Sequence, residues 1–394
     1  MNILMLAPEP FFQPRGTPIS VYFRLKALSD LGHRVTLITY PLGEDKSFPG
    51  LRIVRVPRLP GLRTIKIGPS LIKVPLDILL FLLAARELTL GRYDLIFSHE
   101  EAGFLGVILA KLRGVPHIYD MHSSLPQQLD NFNFSSSTLL KGVFLMMESL
   151  VLRGSRSVIV ICRDLQRLVE ALGFGRKAVF LENFLDFDAP RITARDISRQ
   201  KKLLAPRGEK IALYAGNFQF YQGIPLLLEA AAKVRGKAVL ALVGATGRDR
   251  DEMKHKAESL GIAGRVAFVD RVAPSLVPLY IAAADVLVSP RLSGTNTPLK
   301  IYSFLKSGKP LVATRLWTHT QVVDDSIAVL VEPNAESMAA GLSFALFDKA
   351  AQKRARAAKA KADREYVYPA YLKKIGEALA MAAGKIGRVA CERS

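Results

Sequence analysis

The chain has 394 residues, 49% of them hydrophobic and 23% charged, with 55 lysines and arginines against 35 acidic residues and a formal net charge of +20. That length suits two domains of ordinary size, and Cys162 and Cys391 are too few and too far apart for a disulfide framework or a metal-ligand pattern. The charge calls for an anionic partner without choosing among nucleic acid, anionic lipid and phosphorylated small molecules. Met1 runs straight into "NILMLAPEP" with no basic leader or cleavage site, so the expected compartment is cytoplasmic and reducing. The longest apolar run, "ILLFLLAA" from Ile78 to Ala85, is too short to span a bilayer, and no transmembrane helix is expected.

In chain order, "NILMLAP" predicts a buried strand, "EPFFQPRGTP" a loop, and Val21, Leu25 and Leu28 share one face of a helix that Gly32 stops before the strand "HRVTLITY". Thr17 is placed as the cap of that helix and Pro18 at its first position. The strands "YDLIFSH", "VPHIYDMH" and "SVIVIC" then alternate with helices around "GFLGVILAKLRG" and "RDLQRLVEALG". Such alternation favours a parallel, doubly wound sheet.

Residues 189–209 turn polar, basic and proline-punctuated, which reads as a linker between residues 1–188 and a second domain over 210–364. The strands "IALYAG", "AVLALVG", "VAFVD", "DVLVSP" and "PLVAT" repeat the pattern with helices between them, and residues 365–394 read as a C-terminal helix, placed across on the first domain, and a tail. The fold class is therefore α/β, with two tandem Rossmann-like domains. Between "DVLVSP" and "PLVAT" lies "SGTNTPLKIYSFLKSGKP". Thr297 suits a helix cap and Pro298 the first helical position, so the amides of Leu299 and Lys300 should face outward and attract an anion. The loop also leaves its strand at the carboxyl end, where ligands of such sheets bind.

In the order of these segments the chain resembles the retaining glycosyltransferases of family 4. The resemblance rests on a glycine-bearing loop after the first strand, "YDMHSS", "ENFLD", "YAGNFQFYQGIPLLLEA" and "LYIAAADVLVSPR" leading into "TPLKIYSFLKSGKPLVAT". It implies a GT-B fold, two Rossmann-like domains facing a cleft, and transfer of a sugar from a nucleotide-diphosphate sugar, UDP-linked by family frequency, to an acceptor hydroxyl. Carried over residue by residue, it implies donor contacts from Gly16, Thr17, Gly216, Asn217, Gln222, Gly294, Thr295, Asn296, Thr297, Pro298, Leu299, Lys300 and Ser303. Asn217 and Gln222 stand where relatives carry arginine and lysine, and Thr295 and Ser303 where they carry two glutamates. Lys300 is expected to supply the missing charge.

His122, following "HIYDM", matches the family histidine that touches the donor sugar and is the leading catalytic candidate. Asp120 is read either as its orienting partner or as a cap of the following segment, His99 as structural or acceptor-side, and Glu182 and Asn183 as hinge groups. No carboxylate pair of the glycosidase kind is found at a strand end, so the expected chemistry is front-face, with the leaving diphosphate drawing the acceptor's proton. No metal, cofactor or nucleic-acid partner is expected. The segment from Arg63 to Arg86 fits either peripheral contact with an anionic membrane or plain core packing. The rival readings are a GT-B epimerase or phosphorylase and a catalytically silent scaffold that binds an anionic ligand.

Overall fold

A computed structural model describes every residue except 14–15, 66–69, 125–137, 183–190 and 385–394, so Lys66, Asn183 and Cys391 fall outside the described residues. The chain divides into two compact units, one made of Met1–Asn183 with Tyr368–Ser394 and the other of Phe184–Val367.

The first unit carries seven strands: β1 (Asn2–Ala7), β2 (Arg34–Thr39), β3 (Leu51–Arg55), β4 (Leu95–His99), β5 (His117–Met121), β6 (Ser157–Val160) and β7 (Ala178–Phe180). They lie in the order β3-β2-β1-β4-β5-β6-β7, and every pairing is parallel. Parallel strands joined by helices are covered on both faces, which is why β1 reads as a near-continuous apolar run. Leu4 and Leu6 pack with Leu76, Leu80 and Ala84 of the helix Lys73–Leu90, while Tyr119 and Met121 pack with Val151 and Leu165. The helix Tyr368–Ala382 belongs to this unit and rests on β5, β6 and β7, burying Tyr371, Ile375, Ala378, Leu379 and Ala382 at helical spacing.

The second unit has β8 (Lys210–Ala215), β9 (Ala238–Val243), β10 (Val266–Val269), β11 (Val286–Ser289), β12 (Leu311–Thr314) and β13 (Val329–Val331), in the order β10-β9-β8-β11-β12-β13 and again all parallel. Its sheet separates two apolar layers: Ile211, Leu213 and Ala215 face one, Ala212 and Tyr214 the other. The expected linker needs correction. Residues Ala194–Leu204 form a helix with a capping box between Thr193 and Asp196, and it packs on the helix Val277–Ala283 of the same unit. The basic residues that suggested a linker occupy its solvent face.

In both sheets the strand order reverses once, between β1 and β4 and between β8 and β11, which opens a crevice at the carboxyl ends of those strands. In the second unit the walls of that crevice touch through backbone. At Gly223, with φ of 72°, a Cβ would stand 2.0 Å from Pro290 O, and at Gly244 it would stand 2.2 Å from Gly216 O. Leu292 N donates to Tyr221 O at 2.8 Å.

This packing gives the first prediction. Gly223→Ala combines a positive φ with a backbone collision and should cost about 2–4 kcal/mol of stability. Gly208→Ala, with φ of 75° but nothing within 4 Å, should cost only about 1 kcal/mol. Urea unfolding checks the pair; equal losses would show that the loops after β8 and β11 do not meet.

Candidate functional site

At the reversal point of the second sheet, two side-chain cations meet. Lys300 opens the helix Lys300–Ser307, and its ammonium lies 3.8 Å from the centroid of the Tyr214 ring. It donates to Gln222 Oε1 at 3.4 Å. Gly216 leaves room for it, since a Cβ there would stand 3.1 Å from Lys300 Nζ and 2.9 Å from the Tyr214 hydroxyl. Arg291, two residues past β11, spreads its guanidinium over Tyr221 at 5.1 Å, and its Nη1 donates to Asn296 O at 2.9 Å and to Thr318 Oγ1 at 3.1 Å. Gly294 makes this possible, because a Cβ there would fall 2.7 Å from Arg291 Nη2.

Neither cation has a carboxylate partner among the described residues. Burial, then the neighbouring Arg291, pushes Lys300 well below the ordinary lysine value, and burial also lowers Arg291. Two shielded like charges repel and are poorly solvated, so the arrangement favours whatever anion can enter.

The loop is anchored from beneath. Thr318 Oγ1 donates to Asn296 O at 2.5 Å, Gln321 Nε2 to Thr295 O at 2.7 Å, and Thr314 Oγ1 to Arg291 O at 2.6 Å. His319 is held between Ser289 Oγ at 2.9 Å and the Thr314 carbonyl at 2.8 Å.

Several expected contacts are placed differently. Thr297 does not cap the helix. The helical ladder begins with Ile301 N donating to Pro298 O, and Thr297 is turned inward, its Oγ1 buried without a partner. Pro298 is buried and precedes the helix by two residues; Leu299 and Ser303 are half-buried. Asn217 is exposed, and its carbonyl accepts from the Tyr214 hydroxyl at 2.5 Å. Gln222 is buried and spends its carbonyl on Lys300. Thr17 likewise is no cap: the first helix begins at Gly16, and the Thr17 hydroxyl donates to Glu100 Oε1 at 3.4 Å. A Cβ at Gly16 would meet nothing within 4 Å, so that backbone stands beside open space.

At the reversal point of the first sheet, β4 and β5 end in His99 and Met121, which brings His99, Asp120 and His122 together. Asp120 Oδ2 lies 3.3 Å from His99 Nδ1 and 3.3 Å from His122 Nε2. It also accepts from Arg24 Nε at 2.8 Å, with both side chains fully buried. Burial alone would raise Asp120, yet Arg24 and the two imidazoles hold it well below the usual carboxylate range. His122 is only 4% exposed and His99 is closed off entirely. The three groups place ligand-type atoms within 4.8 Å of one another. Arg24 already occupies the carboxylate, and a metal cation beside a buried guanidinium is opposed electrostatically, so the trio reads as a hydrogen-bonded network.

Sequence reasoning found no carboxylate pair of the glycosidase kind at a strand end and did not single out Glu100 or Asp77. Glu100 directly follows β4 and is the one described non-glycine residue with a positive φ, 47°. Its carboxylate also accepts from Ser123 Oγ at 2.7 Å. Burial and then Glu101 push Asp77 up to about 7, while its Oδ1 accepts from the Tyr40 hydroxyl at 2.6 Å. Glu182 is half-buried at the last described position of its segment.

Comparison with known proteins matches residues 196–364 to the family model "Glycosyl transferases group 1" and residues 22–183 to "Glycosyl transferase 4-like domain". Phosphatidyl-myo-inositol mannosyltransferase of Mycolicibacterium smegmatis is 24% identical over 362 residues, covering 88% of this chain and 85% of that protein. Alpha-monoglucosyldiacylglycerol synthase of Streptococcus pneumoniae is 25% identical over 329 residues, covering 79% and 71%. In structure the chain is similar to Anabaena HepE in complex with UDP, with a TM-score of 0.76 at 20% identity over 96% of this chain and all of that one.

The buried histidines generate a pH prediction. Burial lowers His99 to about 4 and both His117 and His319 to about 3. All three stay neutral in the fold, whereas an unfolded chain binds protons below its usual histidine value of about 6.5. Stability therefore falls as pH drops from about 6.5 toward 4, by about 1.4 kcal/mol per pH unit for each histidine. His117→Gln, which keeps groups able to bond Ser98 and Ser155, should show a shallower slope in urea titrations between pH 7 and 5. An unchanged slope would contradict the buried neutral assignment.

Proposed function

From the premise that the chain belongs to the group 1 glycosyltransferases and carries a glycosyl transferase 4-like N-terminal domain, we propose that it moves a sugar, with retention of configuration, from a nucleotide-diphosphate sugar to an acceptor hydroxyl. One observation carries this reading: Lys300 and Arg291 lie shielded at the reversal point of the second sheet with no described carboxylate to balance them. A diphosphate supplies the missing charge. Thr297 Oγ1, buried and unpartnered, and the amides of Leu299 and Lys300, which precede the helical ladder, add neutral donors for its oxygens.

The chemistry follows from charge placement. As the bond from sugar to phosphate breaks, negative charge builds on the leaving diphosphate, where the two cations and the helix start stabilise it. The leaving oxygen then takes the proton of the attacking hydroxyl on the same face. His122 is read as the contact of the sugar. With side-chain cations present to neutralise the diphosphate, the reaction is proposed to need no metal. A UDP sugar is the first choice, a reading supported by UDP in the structure of HepE.

A membrane-facing lipid acceptor is supported by two observations. Two relatives carry lipids in their names, phosphatidyl-myo-inositol mannosyltransferase and alpha-monoglucosyldiacylglycerol synthase. On the helix Lys73–Leu90, Val74, Ile78 and Leu82 repeat every four residues and are each more than half exposed. None of the described helices is long and apolar enough to cross a membrane.

The test is a thermal-shift panel of UDP, GDP, ADP and TDP sugars in EDTA, with and without anionic vesicles. One donor should raise the melting temperature, since a ligand at 100 times its dissociation constant adds about 2.7 kcal/mol. Lys300→Ala should weaken that donor by about 1.5–3 kcal/mol. A flat panel in every condition would sink the transferase reading.

A further inference from the structure

The ion pair beneath His122 extends to the far end of the chain. Arg24, on the helix Gly16–Asp30, spends Nε and Nη2 on the two oxygens of Asp120, at 2.8 and 3.4 Å. Its remaining terminal nitrogen, Nη1, donates to the hydroxyl of Tyr371 on the helix Tyr368–Ala382, and the guanidinium lies 5.3 Å from the centroid of the Tyr371 ring. Arg24 and Asp120 are 0% exposed and Tyr371 is 4% exposed, so water cannot replace any of these bonds.

Asp120, kept ionised, can only accept hydrogen bonds. His122 Nε2 lies 3.3 Å from Asp120 Oδ2 and 3.2 Å from His99 Nδ1, and the tautomer with its proton on Nε2 satisfies the carboxylate and leaves Nδ1 as the acceptor of the ring. His99 donates to the same oxygen through Nδ1, leaving its buried Nε2 as a bare lone pair, a cheaper orphan than a buried N–H. The geometry points to Tyr371 as a positioning residue: by holding Nη1 of Arg24 it fixes the fork on Asp120, and Asp120 in turn fixes the tautomer and orientation of His122. The groups facing His122 are His99 and Glu100 from the end of β4 and Asp120 from β5, with Arg24 behind them. Without the Tyr371 hydroxyl, Arg24 keeps its charge and its ring contact but loses a buried acceptor, so the fork can rotate and the imidazole can take either tautomer.

This inference rests on the reading of His122 as a sugar contact, and its test separates the two. In full-length protein with 15N-labelled histidine, the His122 signal should report protonated Nε2 in the wild type and a mixture of tautomers in Tyr371→Phe. Sugar transfer in that variant should fall roughly tenfold in kcat, with donor KM little changed. An unaltered tautomer in a folded Tyr371→Phe protein overturns the positioning role whatever happens to turnover. A shifted tautomer with unimpaired transfer upholds the positioning role and removes His122 from the chemistry. If circular dichroism shows Tyr371→Phe to be unfolded, the same comparison on Arg24→Lys, which keeps the charge but not the fork, decides it: a mixed tautomer supports the chain of contacts and a single one refutes it.

Discussion

The second unit depends on an electrostatic imbalance that it does not resolve within itself. Arg291 and Lys300 are brought together by the reversal of strand order, shielded by Tyr214 and Tyr221, and held against a carbonyl, a hydroxyl and an amide in place of carboxylates. The surrounding glycines serve this arrangement: Gly216 and Gly294 remove the Cβ atoms that would displace the two cations, and Gly223 lets the two loops close on each other. Holding charge in this state is unfavourable for folding, and a bound polyanion would relieve it.

In the first unit the balance is opposite. Two of its charges are paired: Asp120 with Arg24, both fully buried, and Lys73 with Glu101 at 2.9 Å. A compensated network stabilises orientation more than it attracts charge, which suits the geometric role proposed for His122. The strained backbone at Glu100 lies on the same edge, beside Thr17 and Ser123.

Local features of this architecture could be read from the sequence; partners distant along the chain could not. Alternation of apolar strands with helices gave both parallel sheets, since burial on two faces writes itself into runs such as "NILMLA" and "AVLALV". Lys300 could be read from its place at a helix start. Arg291 is hard to single out because an arginine in "SPRLSG" looks like an ordinary loop cation, although its spacing after β11 is a usable signal. Thr297 and Thr17 carried capping chemistry that tertiary contacts overrode, turning one hydroxyl inward and the other toward Glu100. Nothing local announces that Arg24 meets Asp120 or that Tyr371 meets Arg24, because separations of 96 and 347 residues are set by topology. The helix Ala194–Leu204 was hidden by its basic, proline-flanked surroundings.

The central claim is that the pair Arg291 and Lys300 is unfavourable in the free protein and is satisfied by the donor's diphosphate. Its most direct measurement is the unfolding free energy of Lys300→Met with and without saturating UDP. Methionine keeps the length and packing of the stem while removing the charge, so the ligand-free variant should match or exceed the wild type, by about 1 kcal/mol, and should gain little from UDP. A variant that is less stable than the wild type when free, yet stabilised by UDP to the same extent, would show that Lys300 is an ordinary packing residue and would contradict the account.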